Sequence, residues 1–170
     1  GLIHSDKALF TLATQALQQS INIAIPLNKP KLLLGPYIAL TNIYHVTNAN
    51  ERARFYAEKT LDLARRANHP IYQITSLQML GITEAMLGNS GLGQHYIEQS
   101  IKLANEQISF YYLAQGFSYL GIIKTEQKIF KEAQQWFDKA MQTVSLIPDE
   151  NQQVYARAFT AGYYARSQAI

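Results

Sequence analysis

Cysteine is absent from the chain, so neither a disulfide framework nor a thiolate metal site is open to it. No apolar run approaches the ~20 residues that a membrane-spanning helix needs. Asp6 and Lys7 stand where a signal peptide would require an uninterrupted apolar core. A cytoplasmic location without membrane contact is therefore expected. Charge is scarce too: charged residues make up 16%, with a net charge of +3. Arg52, Arg54, Lys59, Arg65 and Arg66 are interleaved with Glu and Asp and form no single-sign run. That is not the electrostatic footprint of a nucleic-acid binder. Period-two alternation is also missing, so no sheet is expected.

What is present is a core and a beat. With 48% hydrophobic residues over 170 positions, the chain suits one ordinary globular domain. Residues 46–64, 86–104 and 126–144 begin forty residues apart and match position by position. Ala53, Gly93 and Ala133 align, followed by Tyr56, Tyr96 and Trp136, then Ala57, Ile97 and Phe137. Leu61, Ile101 and Met141 come next, then Ala64, Ala104 and Val144, all on one face of a helix. Upstream, Leu40, Leu80 and Leu120 align, each followed by a small residue: Thr41, Gly81 and Gly121. Pro30 and Pro70 open helices where a missing N–H costs nothing. The beat extends back through Ala13, Ala16, Leu17, Ile21 and Ala24, and forward through 155–166. Eight helices are predicted, at 5–25, 31–47, 50–68, 70–87, 91–107, 110–127, 130–146 and 150–168.

The motif that suggests chemistry is LGNSGLGQH at 87–95, where Gly88 and Gly93 show the G-x-x-x-x-G spacing of a phosphate loop. A working loop would continue with Lys and then Ser or Thr, and a strand would precede it. Gln94 and His95 follow instead. The beat places Gly88 with Asn48 and Lys128 in a turn that suits a left-handed C-cap. It places Gly93 with Ala53 and Ala133 at a helix crossing. The other candidates are equally thin. His4, His45, His69 and His95 lie on separate elements, and His95 with Glu98 is a lone H-x-x-E pair. Ser90 lacks the second glycine of a nucleophile elbow. Asp149 and Glu150 suit the first turn of a helix, whose dipole they complement. Eleven tyrosines could stack single-stranded bases, but the regular placement of Tyr56, Tyr96 and Trp136 favours packing. No enzyme activity, metal or cofactor is expected.

Leu120-Gly121, Ala133, Phe137 and Ala140 stand in the order and spacing of the tetratricopeptide repeat, which this chain resembles. Leu80-Gly81, Gly93 and Ile97 match in part, with Ser100 replacing the last Ala. The unit at 34–73 departs further, with Thr41, Ala57 and Thr60 at its key positions. The repeat here is forty residues, longer than the family's usual unit, and is similar to lengthened repeats in bacterial regulators of the maltose-activator and quorum-peptide-receptor kinds. The resemblance implies an all-α fold: a right-handed solenoid of antiparallel helix pairs, spanning 1–170 as one domain. It implies a segment of a longer protein, or one whose tyrosine-rich last helix buries against a second copy as a homodimer. The first helix of each pair would line a groove through Asn42, His45, Gln78, Met79, Ile82, Gln115, Tyr119, Ile122, Glu126 and Tyr155. Glu126 apart, that set is polar-uncharged and aromatic in character, suited to a peptide main chain or a small neutral ligand. Two functions are expected of it: a ligand- or peptide-sensing module of a transcriptional regulator, or a protein-interaction scaffold with no small ligand.

Overall fold

A computed structural model describes residues 2–168, with side chains from residue 9 onward. Within that range the chain forms eight helices and no strand. They are α1 (Leu2–Ala24), α2 (Lys31–Val46), α3 (Asn50–Arg66), α4 (Pro70–Met86), α5 (Ser90–Glu106), α6 (Phe110–Glu126), α7 (Phe130–Val144) and α8 (Glu150–Gln168). Each boundary falls within a few residues of the one the beat predicts. Pro36 sits inside α2, where no break was expected. Its ring removes one backbone hydrogen bond and costs about 3 kcal/mol in a helix interior. Burial of Leu34 and Leu40 on the same helix offsets that cost.

The turns are more regular than the sequence is. Helices α3 to α8 start at residues 50, 70, 90, 110, 130 and 150. Before five of these starts lies a residue in the left-handed region: Asn48 (φ 57°), Asn68 (48°), Gly88 (89°), Ile108 (52°) and Lys128 (61°). The residue after each donates its N–H five residues back: Ala49 to Tyr44, His69 to Ala64, Asn89 to Glu84, Ser109 to Ala104 and Ile129 to Lys124, at 2.8–2.9 Å. The left-handed residue itself donates three residues back, completing a Schellman motif. Every such turn satisfies two terminal carbonyls and reverses the chain in three residues. The α7–α8 connection is different. Pro148 precedes Asp149, whose Oδ1 accepts the N–H of Gln152 at 2.7 Å and caps α8.

The chain forms two compact units, Gly1–Met79 and Leu80–Ile170. In the first, α1 packs on α2 and α2 on α3. Leu34, Leu63 and Ala64 form a buried cluster flanked by Leu33, Tyr37 and Tyr72. Tyr37 and Tyr44 both meet the Tyr56 ring at 5.6 Å. The Nε2 of Gln73 reaches back to the Ala64 carbonyl at 3.2 Å, tying α4 to the end of α3.

In the second unit α6 packs on α5, α7 and α8, and α7 also packs on α8. Gly81 and Gly93 bring two backbones together: a Cβ on Gly93 would stand 2.5 Å from the Gly81 oxygen. Phe137 fills the space beside Gly121, where an added Cβ would meet its ring at 2.9 Å. Ala53 and Ala133, the counterparts of Gly93, are also buried, so this position is one of close packing in every repeat. Trp136 stacks on Phe117, and Lys139 lies 4.3 Å over the Phe117 ring. The hydroxyls of Ser118 and Thr160 share a 2.8 Å hydrogen bond between α6 and α8. Ala114, Val144, Ile147 and Ala156 close the core beneath Phe110 and Tyr111. Within each unit, neighbouring helices pair in sequence order, as in a helical solenoid.

Candidate functional site

Helices α2, α4, α6 and α8 are the first-type helices of the repeat, and positions 115, 119, 122 and 126 of α6 define the stripe expected to face a ligand. One turn separates each from the next, so they share a helix face. Gln115 is half-buried, and its Nε2 donates to the Tyr111 hydroxyl at 3.0 Å. Ile122 is half-buried and Glu126 exposed. Tyr119 is buried, with its ring edge-on to Phe159 of α8 at 5.3 Å, and Phe159 meets Tyr163 at 5.0 Å. Burial also raises the Tyr119 hydroxyl pKa well above its ordinary value. Tyr155, in the slot of Gln115 on the adjacent α8, is 72% exposed. The second unit thus presents Gln115, Ile122 and Tyr155 at a surface, beside a series of rings of which Tyr119 is buried and Phe159 and Tyr163 are half-buried.

The rest of the expected groove is placed less openly. Gln78 and Ile82 on α4 are buried in the core, and Met79 is half-buried. Gln78, Ile82 and Tyr119 keep only 1–7% of their surface exposed. The forty-residue beat carried a signal for Tyr119: Phe159 occupies the same slot one repeat on, and two large rings on packed neighbours cover each other. In the first unit Asn42 is exposed and His45 half-buried. The Nε2 of His45 is sequestered without a hydrogen-bond partner, and desolvation lowers the ring's pKa.

The remaining candidates from sequence behave structurally. His95 Nε2 pairs with Gln99 at 2.7 Å, and Glu98 accepts from Gln94 at 2.8 Å, so the H-x-x-E pair does not form. His69 lies edge-on to Tyr72 at 4.6 Å. His4 lies outside the residues whose side chains are described. No group of three potential metal ligands occurs among the described residues. Gly88 takes the left-handed turn and Gly93 the crossing, so neither belongs to a phosphate cradle.

One surface went unread in the sequence. The α1–α2 connection, residues 25–30, is the longest between described helices, and Pro26 and Pro30 bracket it. Beside it lies an open cavity of about 700 Å³ between Ile25, Leu32, Leu33 and Leu63, rimmed by Lys29, Lys31 and Arg66. A second hollow of about 390 Å³, lined by Ile23, Leu27, Gln19 and Ser20, shares Ala24 and Leu32 with it. Ile23, Ile25, Leu27 and Leu32 are 48–66% exposed, a contiguous apolar patch where scattered single residues would be ordinary.

No family model matches the chain, and no curated protein matches it significantly.

Proposed function

We propose that this chain is a non-catalytic binding module that takes a neutral peptide or small uncharged ligand on the first-type helices of its second unit. The observation that carries this is that Gln115 and Tyr155 occupy equivalent slots on two packed helices, which the Tyr119–Phe159–Tyr163 ring series also joins. An amide both donates and accepts, so it pairs with a main chain without reading its sequence. An exposed tyrosine adds apolar contact at small entropic cost. The packed Tyr119–Phe159–Tyr163 rings join α6 to α8 and so limit how far that surface must be ordered when a ligand arrives, which reduces the cost of binding. The lengthened repeats favour the role of a sensing domain in a cytoplasmic bacterial transcriptional regulator.

The reading is tested by fluorescence polarisation against labelled randomised peptides of neutral composition and against uncharged oligosaccharides. Replacing Gln115 and Tyr155 together by Ala should weaken a selected ligand about tenfold and leave the melting temperature unchanged, since Tyr155 packs against little. Binding that ignores both substitutions, or no binding in either series, would make this face a plain solvent surface. The protein would then serve as an interaction scaffold.

A further inference from the structure

The cavity beside residues 25–30 exists because the repeat's own filler is missing there. In the forty-residue register Leu32 takes the slot of Tyr72 and Tyr112, and Lys29 that of His69. At the next corner His69 and Tyr72 pack ring against ring, 4.6 Å apart, and both are half-buried. At the first corner a 48%-exposed leucine and a lysine stand in their places, and the space the rings would occupy is open. The two prolines fix their own φ angles, so the wall between α1 and α2 is partly preset.

The opening is chemically polarised. The larger cavity carries Lys29, Lys31 and Arg66 at its rim, with Arg65 exposed nearby. Asp62, one turn before Arg66 on α3, is already paired with it at 2.7 Å, and no acidic residue is among those lining the cavity. Lys29 and Lys31 make no ion pair among the described residues. Apart from the shared Ala24 and Leu32, the smaller hollow has no charged lining residue, only Ile23, Leu27, Ala16, Gln19 and Ser20. A cationic rim therefore borders a largely apolar cavity, beside an uncharged hollow that shares Ala24 and Leu32 with it, and the larger volume is that of a small-molecule site.

We infer that this corner binds a single-chain amphiphile with an anionic head, of the fatty-carboxylate class: the head at Lys29 and Lys31, the chain along Leu32, Ile23 and Leu27. The charge complementarity selects an anion, and the uncharged hollow beside it selects a linear apolar tail. The site is separate from the Gln115–Tyr155 face and stands or falls independently of it.

The test uses sodium laurate below its micellar concentration, with dodecanol and dodecyltrimethylammonium as neutral and cationic matches. Isothermal titration and amide chemical shifts of the isotopically labelled chain are the readouts. Laurate should bind saturably and shift amides at 19–33 and 63–67, with the two matches weaker by about tenfold or more. Leu32→Tyr installs the residue that the later corners carry and should fill the cavity, weakening laurate about tenfold while the protein stays folded. The double variant Lys29→Glu, Lys31→Glu should lose binding to a similar extent and retain its melting temperature, since both lysines are solvent-exposed. Dodecanol or the cation binding as tightly as laurate would reduce the corner to a greasy patch and overturn the inference. Unchanged affinity in Leu32→Tyr would overturn it as well, as would the absence of saturable laurate binding. A Leu/Glu amphipathic peptide binding there when laurate does not would assign the corner to a protein partner instead.

Discussion

Ile108 holds a backbone angle that its side chain opposes. A β-branched residue at φ 52° is a steric outlier, and left-handed geometry costs an L-residue ~1–2 kcal/mol. Its side chain is 76% exposed and recovers little by burial. Three of the six left-handed positions carry asparagine, which tolerates this region. Ile108→Asn should therefore stabilise the protein by about 1 kcal/mol and raise the melting temperature by ~2–4 °C; an unchanged or lower value in calorimetry would mean that Ile108 makes a contact that matters. His45 is a residue whose buried environment links stability to pH below neutrality. Its folded pKa lies below the unfolded 6.5, so the unfolded chain binds the proton first. Above that value the ring is neutral in both states and contributes no difference. As pH falls below 6.5, stability is lost until the folded ring also protonates. His45→Gln should flatten urea-derived stability between pH 6.5 and acid relative to the parent, and an identical slope would assign the loss to carboxylates.

Between α4 and α5, a pair of glycines sets how closely two helices approach. A methyl on Gly93 would meet the carbonyl oxygen of Gly81 at 2.5 Å, and backbone cannot move aside as a side chain does. Gly93→Ala should cost about 1–3 kcal/mol by overpacking, although alanine is otherwise the better helix former. A stabilised variant in chemical denaturation would refute the crossing. The same reasoning explains what could be read in advance. Aligned small residues, long apolar periodicity and proline or glycine breakers mark helices, and all eight were legible. The left-handed turn at Ile108 was not, because its side chain does not advertise that conformation, and the one at Lys128 was marked only by its alignment with Asn48 and Gly88. That conformation is imposed by the Schellman hydrogen bonds around it. Of the expected ligand face, the register located the helices but not the depth. Whether Gln78 or Tyr119 meets solvent depends on what the adjacent helix places beside it, and that is a packing outcome. The amphiphile corner was hidden for a related reason: Leu32 is informative only against Tyr72 and Tyr112.

At the scale of the whole molecule, and among the described residues, the helices that pack together within each unit are one or two places apart in sequence. Stability in such a chain is close to a sum of local helix terms and nearest-neighbour interfaces. A fragment of residues 70–170, holding all of α4 and the second unit, should therefore keep helical circular dichroism and melt cooperatively by itself. A fragment without a melting transition would show that the units depend on each other for folding. The recurrence of one turn every twenty residues also makes the chain a set of interchangeable cassettes. The junctions at Asn68 and Ile108 have the same left-handed geometry and the same donor pattern on either side. A duplicate of 69–108 spliced in after Ile108 would meet each neighbour through a junction that already exists. A cassette half that length would put a first-type face where a second-type face is needed, with Gly93's partner gone. Lengthening by whole forty-residue modules is thus the cheap direction of change, for an engineer or for tandem duplication of the gene.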